Sequence, residues 1–167
     1  MPSVSEIRNV YHAIASEKAA KIDPLKAGFS NHSYLINNHR VLRIKKPLKD
    51  RFYDAAIESA VIASIAPLRI SESVLYFNEK DGTKLSAFLP RTTKIVGLPT
   101  DKQVVLVAKA LRKLHRAKLA TGRSFDLFER LNYYKSKCVD FVDTVYERKT
   151  IASVRRFYDE DPFVLCH

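Results

Sequence analysis

No run in the chain approaches the roughly eighteen consecutive apolar residues that a membrane-spanning helix needs. The first residues, MPSVSEIRNVYHAI, carry Glu6 and Arg8 where a secretory leader would be purely apolar. No membrane association is expected, and the expected compartment is the cytoplasm. Cysteine is scarce: Cys138 and Cys166 stand far apart, which gives neither a disulfide framework nor zinc-ligand spacing. Both are expected to be reduced thiols in apolar surroundings. Glycine numbers only 4 in 167 residues, and AGFSNHS holds a single one, so the P-loop pattern and the protein-kinase glycine signature are both missing. Acidic residues are outnumbered, 18 against 29 Lys+Arg, for a net charge of +11. Such a surplus invites a nucleic-acid reading, because clustered cations release counterions from phosphate backbones. Here the cations recur through most of the chain, and the densest patch is Arg43, Lys45, Lys46, Lys49 and Arg51. That distribution suits a solvated surface, and a basic nucleic-acid-binding module stays as an alternative.

What is present is 46% hydrophobic, enough for a buried core. Val4, Ile7, Val10, Tyr11 and Ile14 recur at helical spacing over residues 3–17. From Lys21 the period changes to two, through residues 27–31, 33–36 and 41–44, with Asn37-Asn38-His39 as a turn. This predicts a three-stranded antiparallel meander. Residues 49–65 return to helical period, with Tyr53, Ile57, Val61 and Ile65 on one stripe and Pro67 at the end. Two more strands, 73–77 and 85–89, flank the strong turn signal Asp81-Gly82. The stretch 90–99 has two prolines and no clear period, which marks a linker. Thr100 and Gln103 form a capping box for a helix that presents Val104, Val107, Ala108, Leu111 and Leu114 on one face and ends near Gly122. Leu127 to Val145 predict a second helix, 126–146, and Ile151 to Tyr158 a third, before the strand-like run from Pro162 to His167. The fold class is therefore α+β, about five antiparallel strands with an inserted helix, followed by helices. His115, on the apolar face beside Leu111, is expected as a hydrogen-bonded core histidine.

A strand–turn–strand element, then a strand cation, then a helix carboxylate can hold a nucleoside triphosphate. Backbone N–H groups of the turn meet the phosphates, the cation neutralises their oxygens, and the carboxylate fixes the cation. The candidates are residues 28–33 for the turn, Arg43 for the cation and Glu58 for the carboxylate. Taken alone, Arg43 and Glu58 each read as an ordinary surface group, and it is their order and separation relative to the turn that single them out.

In order and spacing, AGFSNHSYLI, RVLRIKK, IESAVIASI, GTKLSAFLP, LVAKALRKLHRA and FVLCH resemble the choline/ethanolamine kinase and aminoglycoside phosphotransferase superfamily. The resemblance implies a protein-kinase-like N-terminal lobe over 1–89, a hinge over 90–99 and a partial helical C-terminal lobe over 100–167. It implies ATP-dependent transfer of a γ-phosphoryl group to a hydroxyl of choline or a similar amino alcohol, with an aminoglycoside or another alcohol as the alternative acceptor. By that analogy Ser30 and Asn31 lie in the nucleotide loop, Arg43 replaces the strand lysine and pairs with Glu58, and Ala87 and Leu89 offer backbone groups to adenine. Arginine is suited to that place, being permanently charged and bidentate. His167 matches the start of the catalytic loop, whose catalytic Asp and Mg²⁺ ligands are expected beyond residue 167. The chain alone is therefore expected to be inactive, as an engineered or a natural short form, and to self-associate through surface that a longer chain would cover.

Overall fold

The computed structural model describes residues 1–25, 30–47, 52–90, 92, 97–120, 126–138 and 145–160, of which 145, 146 and 157–160 are described in backbone only. Gly28, Phe141, Cys166 and His167, and the helix end anticipated near Gly122, lie outside the described residues. The chain forms two compact units, Met1–Leu119 and Ala120–His167.

The first unit opens with α1 (Val4–Ala15). Its capping box is complete: Ser3 Oγ accepts from the Glu6 N–H at 3.2 Å, and the Glu6 carboxylate accepts from the Ser3 N–H at 2.6 Å. It stops where Ser16 turns left-handed, at φ 53°, and donates its N–H to His12 O. Five strands follow: β1 (Ile22–Leu25), β2 (Asn31–Ile36), β3 (Arg40–Lys45), β4 (Val74–Phe77) and β5 (Lys84–Ala87). They form one sheet in the order β1-β2-β3-β5-β4, antiparallel at every junction, so the expected meander and the five-stranded sheet are both found. The first strand lies earlier than the period suggested, at Ile22–Leu25. Pro24 sits within this edge strand, opposite Tyr34.

The β2–β3 turn puts Asn37 and Asn38 at φ 50° and 61°, a conformation asparagine tolerates better than most residues. Asn37 also ties the turn to the end of α1: its Nδ2 donates to Glu17 Oε1 at 2.7 Å, while Tyr11 Oη donates to Glu17 Oε2 at 2.9 Å. These two hydrogen bonds, that of Tyr11 foremost, hold the Glu17 carboxyl below the usual carboxylate range.

Alternation along the strands gives the sheet two unlike faces. Tyr34, Ile36, Leu42 and Leu85 lie on one, joined by Ile7 and Tyr11 of α1 to form the core. Leu42 and Leu85 pair directly across β3 and β5 and are almost fully buried, each worth ~1.5–3 kcal/mol of transfer free energy. The other face carries Asn31, Ser33, Val41, Arg43, Lys45, Lys84 and Ser86, the residues that alternate with the core set.

Between β3 and β4 lies α2 (Ala55–Ile65), followed by a short 3₁₀ turn, Ala66–Leu68. The helix begins at Ala55 and not near residue 49, because the Asp54 carboxylate caps it by accepting from the Ala56 and Ile57 N–H groups. A capping box of Thr100 and Gln103 starts α3 (Asp101–Arg116) as expected, but the covered stripe differs. Leu114 is buried and Gln103, Ala110, Leu111 and Ala117 are partly covered, whereas Val104, Val107, Ala108 and His115 are exposed. His115 is thus no core histidine. The helix is apolar on more than one side, so periodicity alone left the buried stripe ambiguous by about one residue's rotation.

In the second unit, α4 (Leu127–Lys135) is capped by Asp126, which accepts from the Glu129 N–H at 2.8 Å, and it ends at Ser136. The expected single helix 126–146 is therefore two pieces, and Val145 opens α5 (Val145–Glu160), which also contains the expected third helix. Lys135 and Glu147 join the pieces by an ion pair of 2.7 Å, and the Arg155 guanidinium stacks 4.5 Å from the centre of the buried Phe128 ring. Cys138 is exposed and not set in apolar surroundings, since it follows the helix end.

Candidate functional site

The polar face of the sheet is where the chemistry gathers. Directly opposed residues on antiparallel strands share a face, so the pairs Ser33↔Arg43 and Arg43↔Lys84 place three polar side chains in a row across β2, β3 and β5. Ser33 and Lys84 are buried and Arg43 is half-buried. Lys84 Nζ donates to Glu72 Oε1 at 2.8 Å, and only 8% of the lysine side chain is exposed. Burial pushes the Glu72 carboxyl up, but the Lys84 hydrogen bond and the charges of Lys84 and Arg43 outweigh it and hold the group below its ordinary value.

On the helix side, Tyr53 stands two residues ahead of α2 and reaches back to the same region. Its hydroxyl donates to the Glu58 carboxylate, its ring lies beneath the Lys45 ammonium, and its oxygen fills the space above Gly82. Burial, then the Glu58 hydrogen bond, then the charges of Glu58 and Asp81 push the Tyr53 hydroxyl far above its usual range, with Arg43 opposing. Arg43 and Glu58 therefore converge on one tyrosine from strand and helix. No ion pair joins them directly among the described residues.

The other expected positions fall at the ends of the strands. Ser30 is exposed, and its carbonyl accepts from the Lys46 N–H at 3.0 Å. Asn31 opens β2 opposite Lys45. At the far end of β5, Ala87 donates its N–H to Ser73 O at 2.9 Å, so the ladder already uses that donor. Leu89 is exposed just beyond, and its carbonyl accepts from Thr92 Oγ1 at 3.3 Å. Among the described residues no three His, Cys, Asp or Glu side chains gather to hold a metal ion. No helix among them is long and apolar enough to cross a membrane.

Solved structures share this fold. A choline/ethanolamine kinase family protein from Mesorhizobium loti superposes with a TM-score of 0.71 over 98% of the chain, at 18% identity. The chain shares the protein-kinase-like fold of these structures. A spectinomycin phosphotransferase in complex with ADP and spectinomycin matches at TM-score 0.57, 12% identity and 99% coverage of the chain. A ternary complex of APH(2'')-IIa with streptomycin and ATP matches at 0.55, 12% and 93%. The chain spans 57% of the length of the Mesorhizobium protein, and 62% and 58% of the other two. No protein-family model and no curated protein matches the sequence.

Sequence reasoning singled out Arg43 and Glu58 but missed Lys84, Glu72 and the chemical part of Tyr53. Lys84 follows the Asp81-Gly82 turn and alternates with Leu85, so its place on the polar strand face was readable. Its neighbour Arg43, 41 positions earlier, becomes visible only through the non-local pairing of β3 with β5.

Proposed function

We propose that the chain is the nucleotide-binding portion of an ATP-dependent small-molecule phosphotransferase of the choline kinase type. Residues 1–89 form its nucleotide lobe, 90–99 its hinge and 100–167 part of its helical lobe. The observation that carries the reading is the convergence of Arg43 and Glu58 on Tyr53 at the polar face of a sheet shared with nucleotide-bound phosphotransferases. In this reading the Arg43 guanidinium meets α- and β-phosphate oxygens, since its planar fork matches phosphate geometry. Ser30 and Asn31 flank the phosphates at the start of β2. The Ala87 carbonyl and the Leu89 N–H match the hydrogen-bonding edge of adenine, the Ala87 N–H being committed to the sheet.

The acceptor is the hydroxyl of choline or a similar amino alcohol; an aminoglycoside is the alternative, favoured by the spectinomycin and streptomycin complexes among the structural relatives. Phosphoryl transfer depends on positioning and on charge neutralisation by Mg²⁺. Glu58 and Glu72, the carboxylates of the polar face, each already accept from a neighbouring side chain, so the described residues do not fit a Mg²⁺ site. In this reading the metal ligands lie outside the described residues, and the described residues alone do not turn over substrate. The reading places the protein in the cytoplasm.

Calorimetric titration with ATP, with and without Mg²⁺, tests the site. Wild type is expected to bind weakly, and Arg43→Ala is expected to lose that binding; equal binding by both would remove Arg43 from the site, and no binding by wild type would leave the fold alone standing.

A further inference from the structure

Arg43 faces Lys84 directly across β3 and β5, and the two carboxylates of this cluster each already have a donor of their own. On the helix side Glu58 accepts from Tyr53. On the sheet side Glu72 accepts from Lys84 at 2.8 Å. Arg43 lies on the same sheet face as Lys84, whose ammonium holds Glu72, and its charge acts on Glu72 and on Tyr53, yet it makes no ion pair among the described residues.

Lys84 is an expensive residue at this place. It is 6% exposed in the middle of the sheet, with Arg43 opposite on β3 and Phe77 opposite on β4. Two like charges directly opposed across strands repel, and a buried ion pair is commonly matched in stability by apolar residues of similar volume. Folding alone therefore gives little reason for a lysine here. Its effect on Glu72 gives one. Were Lys84 apolar, Glu72 would be left half-buried beside a guanidinium that forms bidentate bonds with carboxylates, and Arg43 would be drawn to it.

We propose that Lys84 is a positioning residue: by holding Glu72 it keeps that carboxylate from closing on Arg43 and leaves the guanidinium open to the phosphates of a nucleoside di- or triphosphate. The inference rests on the nucleotide-site reading for the identity of the ligand, but not for the competition between Glu72 and a phosphate for Arg43.

The test is calorimetry on the 167-residue chain with two separate probes, ADP and inorganic tripolyphosphate. Lys84→Met is expected to weaken both by roughly tenfold, and the double variant Lys84→Met/Glu72→Gln to return within about threefold of wild type, because the competing carboxylate has gone. If the double variant binds no better than Lys84→Met, the pair is structural and the inference is overturned. Where a thermal melt shows that Lys84→Met does not fold, Glu72→Gln decides. The amide still accepts from Lys84 while the competing charge is gone, so binding equal to or tighter than wild type upholds the inference and weaker binding overturns it. Uptake of tripolyphosphate but not ADP, with the loss and rescue intact, upholds the role of Lys84 and sinks the nucleotide reading. Binding of ADP that is indifferent to Lys84→Met does the reverse, and a wild type that takes up neither probe sinks both.

Discussion

The hydroxyl of Tyr53 occupies the space in which a side chain on Gly82 would have to lie. Gly82 is also left-handed, at φ +72°, where a Cβ is strained whatever its surroundings. Gly82→Ala is therefore expected to carry two separable penalties. The backbone part costs about 1–2 kcal/mol. The steric part is relieved by swinging Tyr53 away, at the expense of its hydrogen bond to Glu58. Denaturant midpoints should show the double variant Gly82→Ala/Tyr53→Phe recovering some of the loss and never all of it. Full recovery would mean that the positive φ carries no cost.

Tyr11 is completely buried, and its hydroxyl donates to Glu17, which also fixes the turn between β2 and β3. Tyr11→Phe leaves one oxygen of a partly covered carboxylate without its donor and is expected to cost ~1–2 kcal/mol. Burial first, and the bond to Glu17 second, push the Tyr11 hydroxyl up from 10.0 to about 12. A group whose folded value is raised lends stability that is complete below its unfolded value and disappears as pH climbs through the folded one. The stability gap between wild type and Tyr11→Phe should thus stay constant up to pH 10.0 and close by about 12, as followed by unfolding curves beside tyrosinate absorbance. A gap that closes below pH 9 would contradict the burial of this hydroxyl.

Along α3 four consecutive apolar residues, Val104 to Val107, are each about half exposed. Contiguous apolar surface on a soluble chain promotes association. Sedimentation of residues 1–167 should show mass rising with protein concentration, and Leu106→Glu with Val107→Lys should suppress the rise. A wild type that stays monomeric at all concentrations would count against any adhesive role for this helix.

The sequence disclosed the architecture better than the site. Alternation over residues 33–36 and 41–44, the Asn37-Asn38 turn and the Asp81-Gly82 turn are local signals, and the sheet follows them closely. Helix starts governed by caps were legible at Ser3 and Thr100 but misplaced at α2, where the capping Asp54 lies inside a continuous helical period. The exposed side of α3 was misjudged because Val104 to Val107 make every rotation of the helix look apolar. Of the polar cluster, Arg43 and Glu58 stood out through their order along the chain, whereas the Lys84–Glu72 bond spans 12 positions outside any helical or strand period.

The edge strand β1 has one further consequence. Pro24 has no N–H, and a proline survives in an edge strand only with its nitrogen turned outward, away from the β2 ladder. A foreign strand arriving at that border would find a missing donor and a protruding ring in the middle of a four-residue segment. Fibril-like growth of the sheet is thereby blocked on the β1 side, and any such growth has to begin at the opposite border, along β4.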